Sequence, residues 1–273
     1  VIATGSSSFE LANQINEPLT GRKWEYRIFP ISYSEMVAYH GWLEEKRALP
    51  HRLVFGYYPE VIHAAPNEKE ILALLTDSSL YRDVLALEKI KKPEKLVKLL
   101  QALAYQMGQE VSYHELGQIV DPDNQTVEKY VDLLEKSYVI LRLQPLSRNL
   151  RKELKTKRKI YFYDNGVRNA VIAQLHPLEL RQDKGALWEN FLLSERLKHL
   201  HYAGIRTNRF FWRTQDQQEI DYIEERDGFF YAWEFKWSPN AKSRFSRTFT
   251  GNYPVQSAEV INPENFEPFL GME

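Results

Sequence analysis

The sequence predicts a multidomain chain of mixed α/β and α+β class, and three observations predict it. Glu219 to Trp237 reads as two strands joined by an Asp227-Gly228 turn, a strong short-range hairpin signal. That hairpin sits in an order of helix, three strands, helix and strand that fills the last third of the chain. The middle holds three helical patterns followed by two strand-like runs. At 273 residues, with 43% hydrophobic and 13% aromatic content, the chain is long and apolar enough for two or three cores.

Along Phe229 to Trp237 the side chains alternate. Phe229, Tyr231, Trp233, Phe235 and Trp237 are expected on one face, and Phe230, Ala232, Glu234 and Lys236 on the other. Asp221 lies between Ile220 and Tyr222 and, by the same alternation, on the side of Ile223. A carboxylate inside an apolar run needs a partner. The preceding helix, Gly185 to Leu200, places Ala186, Glu189, Leu193, Leu197 and Leu200 along one stripe, so Glu189 falls within an apolar face. An acid on one strand, with an acid and a lysine two apart on the next, suits a divalent cation held against a phosphodiester. Asp221 and Glu234 offer hard oxygens to Mg²⁺, and Lys236 offers charge to steady an attacking water. The plainer reading has Glu189 cap a partner's backbone or pair with Arg196 or another base.

The expected strands are Arg209 to Arg213, Glu219 to Ile223, Phe229 to Trp237 and Ala258 to Ile261, with a helix over Ala241 to Phe249. This order, and the spacing of Asp221, Glu234 and Lys236, resemble the PD-(D/E)xK nuclease superfamily. The resemblance implies a restriction-endonuclease-like αβββαβ domain with Asp221, Glu234 and Lys236 catalytic. It also implies a Mg²⁺ site of Glu189, Asp221 and Glu234, the opening helix supplying the additional acid.

In the middle, Leu96, Leu99, Leu100, Leu103 and Ala104 form one helical stripe. Tyr113 to Val120 is a second helix, opened by Ser112 with Glu115 three residues on, and Gln125 to Ser137 is a third. Strand-like runs at Val139 to Leu146 and Ile160 to Tyr163 complete the pattern of a winged helix. The third helix carries Glu128, Asp132 and Glu135 against Lys129 and Lys136, with Asp123 at its start, which argues against use in a major groove. Between the strands, Arg148, Arg151, Lys152, Lys155, Lys157, Arg158 and Lys159 face only Glu153. From this run Arg151, Lys152, Lys155, Lys157 and Arg158 are candidate nucleic-acid contacts; a solvated loop, or a docking surface for an acidic partner, is the alternative.

The front of the chain offers strand-like Val1 to Thr4, then Gly5-Ser6-Ser7-Ser8, Leu19-Thr20-Gly21-Arg22, a Ser32-x-x-Glu35 capping box and Phe55-Gly56-Tyr57-Tyr58-Pro59-Glu60. In that order these resemble the latter part of a bacterial and archaeal AAA+ ATPase family whose ATPase module precedes a domain of unknown function with a nuclease-like fold. The resemblance implies Thr4 or Ser6 near the γ-phosphate and Arg22 as an arginine that meets nucleotide. A turn serine and a helix-flanking charge are the plain alternatives. No G-x-x-x-x-G-K-[ST] occurs, so this chain by itself is not expected to hydrolyse ATP, and ATP enters as a cofactor only with an upstream region. Lys159 to Ala170 resembles a further family signature at the junction of wing and nuclease-like domain, with Asp164 placed to cap the following helix. The expected organisation is an ATPase remnant over 1–75, a connecting helix and winged helix over 76–165, and a nuclease-like domain over 166–273.

A net charge of -1 gives no global attraction to nucleic acid or anionic lipid, so such a partner must be met by a local patch. The absence of cysteine excludes disulfides and thiolate metal sites, and the seven His show no ligand spacing. No run has the length of a membrane span, and no leader is evident, so a cytoplasmic protein is expected. The expected partners are nucleic acid and, through the ATPase module, further copies of the protein. The functional expectation is an ATPase-associated, Mg²⁺-dependent nuclease. The alternative is a non-catalytic nucleic-acid or protein-binding module coupled to an upstream ATPase switch; a transcription-type DNA binder is disfavoured by the acidic third helix.

Overall fold

The computed structural model describes residues 24, 26–76, 93–120, 124–146, 157–214, 216–241 and 245–272. Ser32 opens the first described helix, α1 (Tyr33–His40). Its hydroxyl accepts from the Glu35 N–H (3.2 Å) while Glu35 accepts from the Ser32 N–H (2.7 Å), the reciprocal cap expected from the sequence. Helices α2 (Trp42–Phe55), α3 (Pro59–Ile62) and α4 (Glu68–Leu74) follow. Between α2 and α3, Gly56 has φ +76°, and a Cβ there would stand 2.1 Å from Asp164 Oδ1. Only glycine permits both that backbone and that approach. Asp164 accepts from the Tyr57 N–H (2.7 Å) through one oxygen and from the Val167 N–H (3.0 Å) through the other. The cap of α8 (Asn165–Val171) therefore also clamps the Gly56-Tyr57 turn.

Helices α5 (Pro93–Tyr105), α6 (Tyr113–Val120) and α7 (Asn124–Lys136) are the three read from sequence. The stripe Leu96, Leu99, Leu100, Leu103 and Ala104 is buried. Ser112 and Glu115 cap α6 reciprocally, at 3.1 and 3.3 Å. Strands β2 (Ile140–Pro145) and β3 (Arg158–Phe162) form an antiparallel pair, and a short strand, β1 (Glu110–Val111), which sequence patterning missed, adds to β3.

This pair is built into a larger sheet. β2 pairs in parallel with β4 (Asn208–Arg213), Gln144 opposite Phe210 and Pro145 opposite Phe211, so that with β5 (Glu219–Arg226), β6 (Phe229–Phe235) and β7 (Val255–Ile261) the described residues form one seven-stranded mixed sheet in the order β1-β3-β2-β4-β5-β6-β7. Arg142 on β2 pairs with Asp132 (2.6 Å) and with Glu135 on α7, and donates to the Tyr113 hydroxyl (3.1 Å). Two of the acids that give α7 its negative character are thus turned onto the hairpin as an internal clamp.

The last third contains α9 (Lys184–Tyr202), β4, β5 (Glu219–Arg226), β6 (Phe229–Phe235), α10 (Arg247–Asn252) and β7 (Val255–Ile261). Strands β4, β5 and β6 are antiparallel neighbours, and β7 runs parallel to β6. α10 begins later than the helix expected over Ala241 to Phe249 and is shorter. Asp227 and Gly228 have φ 51° and 81°, the doubly positive geometry of a tight hairpin turn, and Arg226 pairs with Phe229 across it. Both faces of the sheet are buried. Trp188, Phe191 and Leu192 of α9 share a cluster with Tyr222, Trp233, Phe235 and Phe269. Phe249 of α10 joins Trp212, Ile220, Ile223, Phe230 and Ala232 in a second cluster. That is why β6 is apolar at successive rather than alternate positions. Among the described residues no helix is long and apolar enough to cross a membrane.

Candidate functional site

The site begins at an irregularity in β5. Trp212 pairs with Ile220, whereas Phe210 pairs with Ile223, so β5 spends one residue more than β4 across this interval. The extra residue makes a bulge at Asp221-Tyr222. Ile220 and Ile223 consequently enter the same apolar cluster, which strict alternation forbids. Asp221 therefore leaves the side of Ile223, where alternation had placed it. Its Oδ2 instead accepts from the Phe235 N–H on β6 (2.8 Å), which holds the carboxylate against the next strand.

Two lysines complete the pocket. Lys236 Nζ lies 3.8 Å from Asp221 Oδ2 and 2.8 Å from Glu234 Oε2. Lys159 Nζ, brought by β3, lies 2.6 Å from Glu219 Oε1, 3.3 Å from Glu189 Oε1 and 4.0 Å from Asp221 Oδ1. Tyr161, also on β3, donates its hydroxyl to Glu189 Oε1 (2.5 Å). Glu189, Asp221, Glu234 and Lys236 are thus linked through the ammonium groups of Lys159 and Lys236. Glu189 takes Lys159 as its base; Arg196 is held by Glu224 (2.8 Å).

Asn190 fixes the phase of α9 that brings Glu189 there. Its side chain accepts from the Phe162 N–H (2.7 Å) and donates to the Phe162 carbonyl (3.1 Å) and to Asn165 Oδ1 (2.7 Å). Further along α9, Glu195 accepts from the Tyr33 N–H (2.8 Å) and from Lys198 Nζ (2.6 Å), and Lys198 also donates to the Ile31 carbonyl (3.1 Å). One helix therefore carries a pocket acid and grips the chain at the start of α1.

Lys159 corrects the sequence reading. The sequence places it in a basic run facing only Glu153, yet it is 2% exposed and surrounded by acids. The described end of that run is also partnered: Lys157 pairs with Glu115 (3.6 Å), and the Arg158 guanidinium lies over the Tyr113 ring (4.8 Å). Arg148, Arg151, Lys152, Glu153 and Lys155 lie outside the described residues, as do Thr4, Ser6, Arg22 and the stretch 77–92 that holds most of the expected connecting helix.

Four carboxylates, Glu189, Glu219, Asp221 and Glu234, face two ammonium groups. Burial, then the Glu189 charge, pushes the Asp221 carboxyl up to about 7 against the pull of Lys159, Lys236 and the Phe235 N–H. Burial opposes the charge on Lys159, but Glu189, Asp221 and Glu219 outweigh it and hold the ammonium above its ordinary range. Lys236 is raised likewise, Asp221 and Glu234 overcoming its burial. Among the described residues no three His, Cys, Asp or Glu side chains converge closely enough to hold a metal ion. Glu189, Asp221 and Glu234 are therefore not assembled as a three-carboxylate cage, because lysines stand between them. Hard divalent cations take all-oxygen donor sets, and Mg²⁺ is commonly held by one or two carboxylates with waters and phosphate completing the shell. Asp221 and Glu234 face the same Lys236 ammonium.

Three family profiles match successive parts of the chain: an AAA domain over residues 1–37, a domain of unknown function (DUF8612) over 46–179, and a second domain of unknown function (DUF4143) over 184–270. An uncharacterized protein of Haemophilus influenzae is 25% identical over 241 residues, covering 83% of this chain and 56% of that protein. One of Methanocaldococcus jannaschii is 24% identical over 245 residues, covering 82% and 52%. One of Mycobacterium tuberculosis is 31% identical over 136 residues, covering 49% and 30%. The chain spans about half the length of the first of these relatives, or 56%. No solved structure gives a significant match. The AAA match at the front, followed by DUF4143 over the segment that carries Glu189, Asp221, Glu234 and Lys236, associates the chain with AAA-type ATPases.

Proposed function

We propose that this ATPase-associated chain uses the Asp221 pocket to hydrolyse phosphodiester bonds of nucleic acid with a divalent cation. The observation that carries the reading is the setting of Asp221: a bulge aims its carboxylate at a lysine on each oxygen, with Glu234 on the same Lys236. Asp221 and Glu234 would hold Mg²⁺. When bound, the cation supplies a water of lowered pKa and offsets phosphate charge. Lys236 orients the attacking oxygen and stabilises charge developing on the phosphoryl oxygens. Glu189 acts at one remove, keeping Lys159 and Tyr161 in place. Lys157 and Arg158, with Arg151, Lys152 and Lys155, would draw the substrate backbone without reading its bases. The test is nicking of DNA and RNA with Mg²⁺ or Mn²⁺. Asp221→Ala and Lys236→Ala are each expected to lower the rate at least about a hundredfold, as loss of an electrostatic group at a reacting centre does. Cleavage by both variants at the rate of the unaltered protein contradicts the reading.

A second reading has its own support. Glu195 and Lys198 of α9 bind the backbone of Tyr33 and Ile31, inside the stretch that matches an AAA domain. In this reading α9 transmits a nucleotide-dependent shift and the pocket serves as a binding platform. Failure to cleave in the presence of both cations, together with nucleic-acid affinity that changes in Lys198→Met, would favour it.

A further inference from the structure

The buried lysine contributed by β3 has no place in the sequence-based site, yet it makes more ion pairs in the pocket than Lys236 does. Its ammonium stands among Glu189, Glu219 and Asp221 and lies 5.6 Å from the centre of the Phe211 ring, with its side chain 3% exposed. Burying a lysine is costly unless its charge is compensated, and these carboxylates compensate it. The reverse also holds: without a cation among them, the three partly buried acids would repel one another. Lys159 thus does for Glu189, Glu219 and Asp221 what a bound cation would do. A monovalent ammonium nevertheless leaves the four-acid, two-lysine pocket with a carboxylate excess.

We propose that Lys159 is a positioning residue, the built-in counter-ion of the pocket. It holds the acids together when no divalent cation is bound and competes with that cation for Asp221. The inference rests on the divalent-cation reading given above. The residue that sets the pocket's cation affinity then comes from β3, which β2 and β4 separate from β5 in the sheet order, and not from the strands that carry Asp221 and Glu234.

The experiment measures Mn²⁺ affinity by electron paramagnetic resonance for the unaltered chain, Lys159→Met, Lys159→Arg and Asp221→Asn. Methionine keeps the length and contact with Phe211 while removing the charge. Lys159→Met is expected to bind Mn²⁺ at least about tenfold more tightly, the size of change that a competing unit charge at close range produces. Lys159→Arg should bind no more tightly than the unaltered chain, and Asp221→Asn should bind more weakly. If Lys159→Met is unfolded without metal, Mn²⁺ should refold it, its melting temperature rising more steeply with Mn²⁺ than that of the unaltered chain. A flat response in that case overturns the proposal. Binding by the unaltered chain that is as tight as, or tighter than, that of Lys159→Met overturns the counter-ion role and leaves the divalent-cation reading standing. Absence of Mn²⁺ binding in both proteins overturns the two together.

Discussion

Replacing Asp221 by Asn tests the pocket's electrostatics without any assay of activity. The folded-state carboxyl titrates near 7 rather than 3.8, so the folded protein holds this proton more strongly than the unfolded chain does. The sign follows from linkage: a group whose folded value is raised contributes stability below the unfolded value, and that contribution is lost as pH rises through the folded one. The window is therefore about pH 4 to 7. At 1.36 kcal/mol per unit, the release of this proton by the unfolded chain lowers stability by roughly 1–2 kcal/mol by pH 5, and by roughly 4 kcal/mol by pH 8, where Asp221 also ionises in the folded protein. Asparagine does not titrate, and its carbonyl can still accept from the Phe235 N–H. Asp221→Asn should consequently gain on the unaltered protein by roughly 2–3 kcal/mol between pH 5 and pH 8, whatever its offset at either pH. Urea unfolding at the two pH values reads this difference directly, and saturating Mg²⁺ at pH 8 should stabilise the unaltered protein but not the variant. An offset that is the same at both pH values, or that moves against the variant as pH rises, refutes the description of Asp221 as a carboxylate in excess of its counter-ions.

Three further outcomes are expected. Gly56→Ala combines a positive φ with a Cβ 2.1 Å from Asp164 Oδ1, so a loss of more than about 3 kcal/mol, seen as lost expression or a much lower melting temperature, should follow. Asn190→Ala leaves the Phe162 N–H and carbonyl without their side-chain partner, and should lower stability by about 2–4 kcal/mol in denaturant titration. If the wing touches phosphates, alanine at Lys155, Lys157 and Arg158 should weaken binding to every nucleic-acid sequence alike and flatten its salt dependence. Unchanged binding removes the wing from the interface.

What the sequence disclosed is what short-range physics decides. The Asp227-Gly228 turn, the Ser32 and Ser112 capping boxes and the Asp164 cap each depend on residues within a few positions of one another. The longer-range half of the same interactions stayed hidden: Asp164 also binds the Tyr57 N–H, 107 residues away in sequence. Asp221, Glu234 and Lys236 stood out because charged groups in apolar strands must be partnered. The bulge that redirects Asp221 was invisible to alternation, because one extra residue on β5 shows only against the register of β4. Lys159 was lost inside a run of basic residues. Composition treats such a run as solvated, whereas only the sheet brings Lys159 to Glu189, Glu219 and Asp221. The acids of α7 were read with the right sign and the wrong address, since two of them answer Arg142 on β2. Fusion of the β2–β3 pair with the C-terminal strands depends on Gln144, Pro145 and the Leu146 N–H meeting β4, a match no local pattern announces.

The central claim is that Asp221 and Glu234 together receive a divalent cation beside Lys236. Crystals grown with Mn²⁺ and measured for its anomalous scattering test this most directly. One peak is expected, with an oxygen of Asp221 and an oxygen of Glu234 both within about 2.0–2.3 Å of it, the range of hard-cation coordination. A map with no peak in the pocket, Lys236 still seated on Glu234 and Lys159 still seated on Glu219, would contradict it.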